Sequence, residues 1–290
     1  MTVLSRAKRD AAWPVFEEYR GQLASRKLKE VDDAYREISE LLANEIEQGK
    51  YSTRYSAIVV DETQDFGPQA LRLLRAIIPN DNNDLFFVGD GHQRIYTRNR
   101  AAMSRCGIDI RGRARKLYLN YRTTDEIRRQ AVALLEGCEV DDLDDGHDET
   151  RRYKSLSHGP KPIVLRVDGM EAAVANALDC VRRWLVPDKN GYRGTSCVIA
   201  HSQAVRDMLA RQFTSAGIAA TVIDAHHKAP VTDGAVCLST MHRAKGLEFD
   251  HVVVVAPTAF LGDLVETVGQ RKLLYVALTR AKREAVLLTT

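Results

Sequence analysis

No apolar run in these 290 residues approaches the length of a membrane span. Stretches such as Val252 to Ala256 are far too short to cross a bilayer, so no membrane partner is expected. The five cysteines, Cys106, Cys138, Cys180, Cys197 and Cys237, are odd in number, widely spaced and form no Cys-x-x-Cys pair. That pattern argues against a disulfide framework or a thiolate metal site, and for reduced thiols in a cytoplasmic setting. The segment from Met1 to Asp10 is basic but lacks a long apolar core, which does not fit a signal peptide. There is no internal repeat, and a net charge of +3 is too small to define a class of partner.

The charge is unevenly placed. Arg94 to Lys116 holds eight Lys or Arg residues and one acid, Asp109; Glu139 to Glu149 holds seven acids and no Lys or Arg. The basic stretch suits either phosphate contact or an ordinary solvated face. The acidic one reads as a surface loop. Apolar content of 44% is enough for a sizeable core, and the length allows two domains.

Periodicity separates a helical beginning from an α/β remainder. Val31, Ala34, Ile38, Leu41, Leu42 and Ile46 recur at helical spacing within the first fifty residues, which read as helix, and Gly49 suits a helix end. Ala57 to Val60 and Leu85 to Val88 read as short buried parallel strands, with a helix from Gln69 to Ile78 between them. Further strands are expected at Lys116–Leu119, Pro162–Val167, Cys197–Ala200, Thr221–Ile223, Val236–Leu238 and His251–Val255. Helices are expected from Thr123 or Thr124 to Leu135, at Glu171–Leu185, from Ser202 to Ala216 and at Arg271–Lys282. Alternation of this kind specifies an α/β protein with parallel sheets.

Ligands in open α/β sheets gather at the C-terminal ends of the strands. Asp61-Glu62-Thr63-Gln64-Asp65 sits at such an end. Asp61 can hold a magnesium ion, a hard cation that takes oxygen ligands, and Glu62 can orient or deprotonate an attacking water. Taken alone, the pair reads more readily as an acidic turn after a buried strand. Val88-Gly89-Asp90-Gly91-His92-Gln93-Arg94-Ile95-Tyr96 also follows a strand, and Gln93 can hydrogen-bond a γ-phosphate or a water. A plain glycine turn is the alternative there.

Together these two segments resemble motifs II and III of UvrD/Rep-like superfamily 1 DNA helicases. Three more matches follow in the family's order. Leu119 to Thr124 (Leu-Asn-Tyr-Arg-Thr-Thr) resembles motif IV, Ser239 to Asp250 (Ser-Thr-Met-His-Arg-Ala-Lys-Gly-Leu-Glu-Phe-Asp) motif V, and Arg271 to Lys282 motif VI. The resemblance covers Ile58 to Lys282. It implies RecA-like parallel sheets flanked by helices, an incomplete first motor domain followed by a complete second one. Residues 1–56 would be a helical segment preceding motif II, 57–115 the partial first domain, and 116–290 the second.

The resemblance also implies site residues and ligands. The cofactors would be ATP and Mg²⁺, with Asp61 at the metal. Tyr121 would stack on adenine, Arg122 and Arg280 would reach the γ-phosphate with guanidinium forks, and Glu248 would contact the ribose. Gly246 would let the chain turn closely beside the nucleotide. Asp61, Glu62, Gln93, Arg122 and Arg280 form the implied catalytic set. Single-stranded DNA, or a single/double-strand junction, would be the partner, met by Thr240 and His242, by Tyr96 as an aromatic face, and by Arg98. Arg98 stands where the family usually carries Trp or Phe; Gly269-Gln270 and Gly91-His92 stand where acids are frequent.

One element of such a motor is missing from the sequence. No Gly-x-x-x-x-Gly-Lys-[Ser/Thr] loop occurs, and that loop supplies the N–H cradle and lysine for the β- and γ-phosphates. Between Ile223 and Val236 there is room only for a short loop, so no large inserted domain is expected. Three arrangements remain open: the C-terminal part of a helicase whose N-terminal half holds the loop, a split motor completed by a partner chain, or a non-hydrolysing DNA- or partner-binding module. Under the first, this chain alone is expected to hydrolyse ATP poorly.

Overall fold

The computed structural model describes residues 5–53, 55–81, 83–95, 101–138, 140, 143, 153–224 and 232–290. Tyr96, Arg98 and all seven acids of the 139–149 stretch lie outside the described residues. The chain groups into two units, Met1–Gly89 with Arg98–Arg111, and Asp90–Thr97 with Gly112–Thr290.

The first unit begins with two helices, α1 (Arg6–Ser25) and α2 (Val31–Glu47), rather than one. Lys27 in the left-handed region, at φ 54°, turns the chain between them. Tyr19 Oη donates to Glu30 at 2.9 Å and Arg20 pairs with Asp33 at 3.1 Å, which ties the hairpin together. Gln48 caps α2, and Gly49 follows at φ +66°, where a glycine is at home. Neither helix has a buried residue, and Trp13 and Phe16 are 61% and 60% exposed.

α3 (Pro68–Ile77) starts with proline in its first turn, where the missing N–H costs nothing, and buries Ala70 and Leu71. β1 (Ile58–Val60) and β2 (Leu85–Phe87) pair in parallel, Val59 opposite Phe86. The expectation of two buried strands holds for one face only. Val60 is buried, but Val59 is 72% and Phe86 62% exposed. Successive side chains point to opposite faces of a strand. Among the described residues this sheet has two strands, and nothing covers the face bearing Val59 and Phe86.

The second unit is built on a six-stranded, all-parallel sheet. Its strands are β5 (Ile163–Arg166), β6 (Ser196–Ala200), β7 (Thr221–Val222), β8 (Val236–Thr240), β9 (Phe249–Ala256) and β10 (Ala281–Thr289), in the order β5-β10-β9-β6-β8-β7. A separate short parallel pair joins β3 (Leu119–Asn120) to β4 (Lys154–Ser155). The helices are α4 (Asp125–Leu134), α5 (Gly169–Trp184), α6 (Gln203–Ser215), α7 (Met241–Ala244) and α8 (Leu264–Leu278).

The uninterrupted valine run of β9 follows from a sheet covered on both sides. Val252, Val254 and Ala256 pack into a core with α4, α7 and α8; Val253 and Val255 pack into a second core with α5 and α6. Thr124 and Ser202 cap α4 and α6, their hydroxyls accepting from Ile127 N and Val205 N.

Three expectations change. The strand placed at Lys116–Leu119 forms only at Leu119–Asn120. The helix placed at Arg271–Lys282 begins earlier, at Leu264, and stops at Leu278, so Arg280 lies in the turn entering β10. β10 itself was not expected. Lys282, Arg283 and Glu284 interrupt its apolar pattern, and only pairing between β5 and β9 makes the following Val-Leu-Leu a central strand. No helix among the described residues is long and apolar enough to cross a membrane.

Candidate functional site

In the first unit, the chain leaves β1 directly into Asp61 and Glu62. Glu62 adopts left-handed backbone angles (φ 53°, ψ 38°), uncommon for a residue with a side chain, and its N–H donates to Asp61 Oδ1 at 2.7 Å. Buried Thr63 anchors the turn: its N–H and hydroxyl both donate to Val88 O, at 3.0 and 2.8 Å. Buried Gln64 hydrogen-bonds the Glu62 carboxylate through Nε2. Both acids therefore stand exposed on a turn whose base is fixed. An exposed carboxylate with one oxygen engaged suits magnesium, which keeps several waters and takes few protein ligands. Among the described residues no group of three or more His, Cys, Asp or Glu forms a fuller metal cage. A hollow elsewhere in this unit, between the start of α2 and the Asp65–Gly67 turn, is lined by Glu30, Asp32 and Asp65. Its acids would repel a triphosphate.

In the second unit, four of the five quoted motifs meet. Asp90 to Gln93 form a tight turn in which the Asp90 carboxylate accepts from His92 N (2.9 Å) and from Gln93 Nε2 (2.9 Å). Arg280 donates from Nη2 to Gln93 Oε1 at 3.1 Å. It also donates to the carbonyls of Val276 (3.0 Å) and Leu247 (3.4 Å) and is 1% exposed. Lys245 reaches the Gln93 carbonyl at 3.3 Å. A surface arginine on a helix is thus excluded for Arg280.

Arg122 and Glu248 form a second cluster. Asn120 folds its side chain back so that Oδ1 accepts from Arg122 N (2.7 Å) and Thr123 N (3.4 Å), a local turn that asparagine favours. The turn leaves Tyr121 74% exposed, its ring open on the surface. Arg122 Nε pairs with Glu248 Oε1 at 2.7 Å, and Lys282 with Glu248 Oε2 at 3.0 Å. Burial pushes the Glu248 carboxyl up, but Lys282, Arg122 and Arg280 outweigh it and hold it below the usual range. Gly246, at φ +79°, carries the chain from α7 to Glu248 through a conformation that a side chain would strain.

The structure therefore brings Gln93 to Arg280 and Arg122 to Glu248, and sets Tyr121 beside Arg122. His242 is exposed on α7, whereas Thr240 is only 7% exposed at the end of β8. The sequence reading passed over Asp90, Asn120, Lys245 and Lys282, which hold the quoted residues in place. All four lay inside the quoted motifs. Their partners were identifiable only once the chain was folded.

The fold is thus an α/β parallel-sheet type with candidate side chains gathered on loops beside the strands. The family model of the UvrD/REP helicase N-terminal domain matches residues 4–106, and that of the UvrD-like helicase C-terminal domain matches residues 235–288. DNA helicase IV of Escherichia coli (strain K12) is 24% identical over 270 residues, covering 82% of this chain and 34% of that protein. The solved C-terminal domain of a possible DNA helicase from Lactobacillus plantarum WCFS1 is 23% identical, with a TM-score of 0.43 over 59% of this chain and 88% of its own. The chain belongs to the UvrD/Rep-like helicases. It spans about a third of the length of the curated relative it matches.

Proposed function

We propose that this chain is the C-terminal part of an ATP-dependent DNA helicase that couples Mg-ATP hydrolysis to movement along single-stranded DNA. The observation that carries the reading is the hydrogen bond from Arg280 to Gln93, residues 187 apart in sequence. A neutral amide and a buried guanidinium, held together beside the Arg122–Glu248–Lys282 cluster, form a set suited to sensing a terminal phosphate.

In this reading Tyr121 offers its ring to adenine, Arg122 and Arg280 offset phosphate charge, and Glu248 meets the ribose while Gly246 keeps the backbone close. Asp61 holds the magnesium ion, and Glu62 orients the attacking water. Magnesium-bound ATP supplies the phosphoanhydride whose cleavage drives movement. His242 and Thr240 face the DNA strand, with Tyr96 and Arg98 assigned to it on motif position. Residues 57–115 belong to a first motor domain and 116–290 to a second. The Gly-Lys-[Ser/Thr] loop comes from further polypeptide, either the N-terminal half of the same protein or a partner chain. The open Val59–Phe86 face favours such a completion, because parallel sheets are stable when helices cover both faces.

DNA-stimulated ATPase activity tests the reading. The purified chain should turn ATP over near background, and a polypeptide bearing the loop should restore turnover. Brisk hydrolysis by the chain alone would sink the reading, as would binding of neither nucleotide nor single-stranded DNA after completion.

A further inference from the structure

The Gln93 amide has two chemically different ends, and its use as a phosphate sensor depends on which end faces which neighbour. We propose that Asp90 and His92 are positioning residues that lock the Gln93 side chain with its oxygen toward Arg280 and its nitrogen away from it. The proposal rests on the reading above for why Gln93 matters, but the orientation stands on geometry within one unit.

An ionised carboxylate can only accept hydrogen bonds, and a guanidinium can only donate them. Asp90 Oδ2 at 2.9 Å from Gln93 Nε2 and Arg280 Nη2 at 3.1 Å from Gln93 Oε1 therefore leave one amide orientation. A flipped amide would point its NH₂ at a cation and its oxygen at an anion, losing both bonds. The other carboxylate oxygen, Oδ1, accepts from His92 N (2.9 Å) and lies 3.1 Å from His92 Nδ1. The acceptor-only carboxylate requires that Nδ1 carry the proton. Hydrogen bonds from His92 and Gln93 outweigh the burial that pushes the Asp90 carboxyl up, so it stays below the usual carboxylate range and ionised.

His92 is itself held. Its ring is 4% exposed, stacks on Tyr275 at 5.7 Å with 30° between planes, and meets the edge of Tyr153 at 5.8 Å. Tyr275 belongs to α8, the helix that leads into Arg280. One helix thus sets both the ring that steadies Asp90 and the guanidinium that Gln93 meets. A histidine supplies a ring to stack and a donor to aim, which an acid at this position does not.

The test is NMR of the full chain without nucleotide, reading solvent exchange of the Gln93 side-chain amide protons, assigned by their loss in Gln93→Leu. Asp90→Ala and His92→Phe should speed exchange by about tenfold or more, the scale expected for losing one hydrogen bond to a charged group. His92→Phe keeps a ring against Tyr275 but has no Nδ1–H. His92→Asn gives up the ring but keeps a donor near that position, and should restore slow exchange. Equal exchange in wild type and His92→Phe overturns the proposal. Equally fast exchange in His92→Asn and His92→Phe overturns it too, because packing rather than the donor would then be responsible. If Asp90→Ala does not fold, the His92 pair decides alone, since the His92 backbone bond to Asp90 remains. ATP is absent from the assay, so failure of the ATPase reading does not alter this result.

Discussion

Replacing Arg280 with methionine keeps the apolar stem and removes the guanidinium, and its cost can be worked from the partners. The Val276 carbonyl retains the Thr279 hydroxyl at 3.1 Å. The Leu247 carbonyl and Gln93 Oε1 each lose the donor seen at 3.4 and 3.1 Å. Two half-buried acceptors at ~1–2 kcal/mol each, partly offset by no longer burying a cation, give about 2–3 kcal/mol. With a urea m-value of ~2 kcal/mol/M, the midpoint should fall by roughly 1 M. Trp184, buried and stacked on His251, reports unfolding of this unit once exposed Trp13 is changed to Phe. Gln93→Leu removes the same bond from the other side. A double-mutant cycle between the two should give a coupling of about 1–2 kcal/mol. Additivity within ~0.3 kcal/mol would mean that the contact joining the two motifs is energetically empty and does not hold Gln93 to Arg280.

Three further outcomes are expected. Asp125 is buried and accepts from Arg128 Nη2 at 2.7 Å and Ser155 N at 3.2 Å; burial pushes its carboxyl up, but these bonds and the charges of Arg128 and Arg129 hold it lower. A depressed folded-state value means stability present at neutral pH and lost as pH falls below the unfolded carboxylate range of ~3.9, so urea midpoints of Asp125→Asn and wild type should differ at pH 7 and converge in acid. Cys197 and Cys237 face each other across β6 and β8; burial pushes the Cys237 thiol up to about 11 and Cys197 well above its usual value. Both should resist iodoacetamide in the folded chain at pH 8 and react in urea, as read by peptide mass spectrometry. Phe86→Thr, on the open sheet face, should cost under ~0.5 kcal/mol, whereas Leu71→Ala should cost about 2–4 kcal/mol; equal losses would mean that the Phe86 face is covered after all.

Much of this was legible in the order of residues. Short apolar runs ending in Asp61-Glu62 and in Gly89-Asp90 marked where two strands stop, because the covalent chain alone carries an apolar run into a polar turn. The cap Ser202 was readable for the same reason, and that of α4 to within one residue, Thr123 or Thr124, since a cap acts within three residues. Misplacements fell where distant contacts override local pattern. The charges of Lys282, Arg283 and Glu284 concealed β10, and the apolar composition of β1 and β2 implied a cover that the described residues do not supply.

The sequence by itself determined the α/β class, the family and the candidate residues, because those depend on residue type and spacing along one chain. Tertiary structure alone decided how four of the motifs interlock. Arg280 leaves its helix and is buried on Gln93, Glu248 draws Arg122 and Lys282 together, and Asp90 sets the Gln93 amide. Hydrogen bonds have direction and a reach of about 3 Å. Residues 187 apart meet only where a six-stranded sheet and its helices set their backbones in register, and no local spacing encodes that.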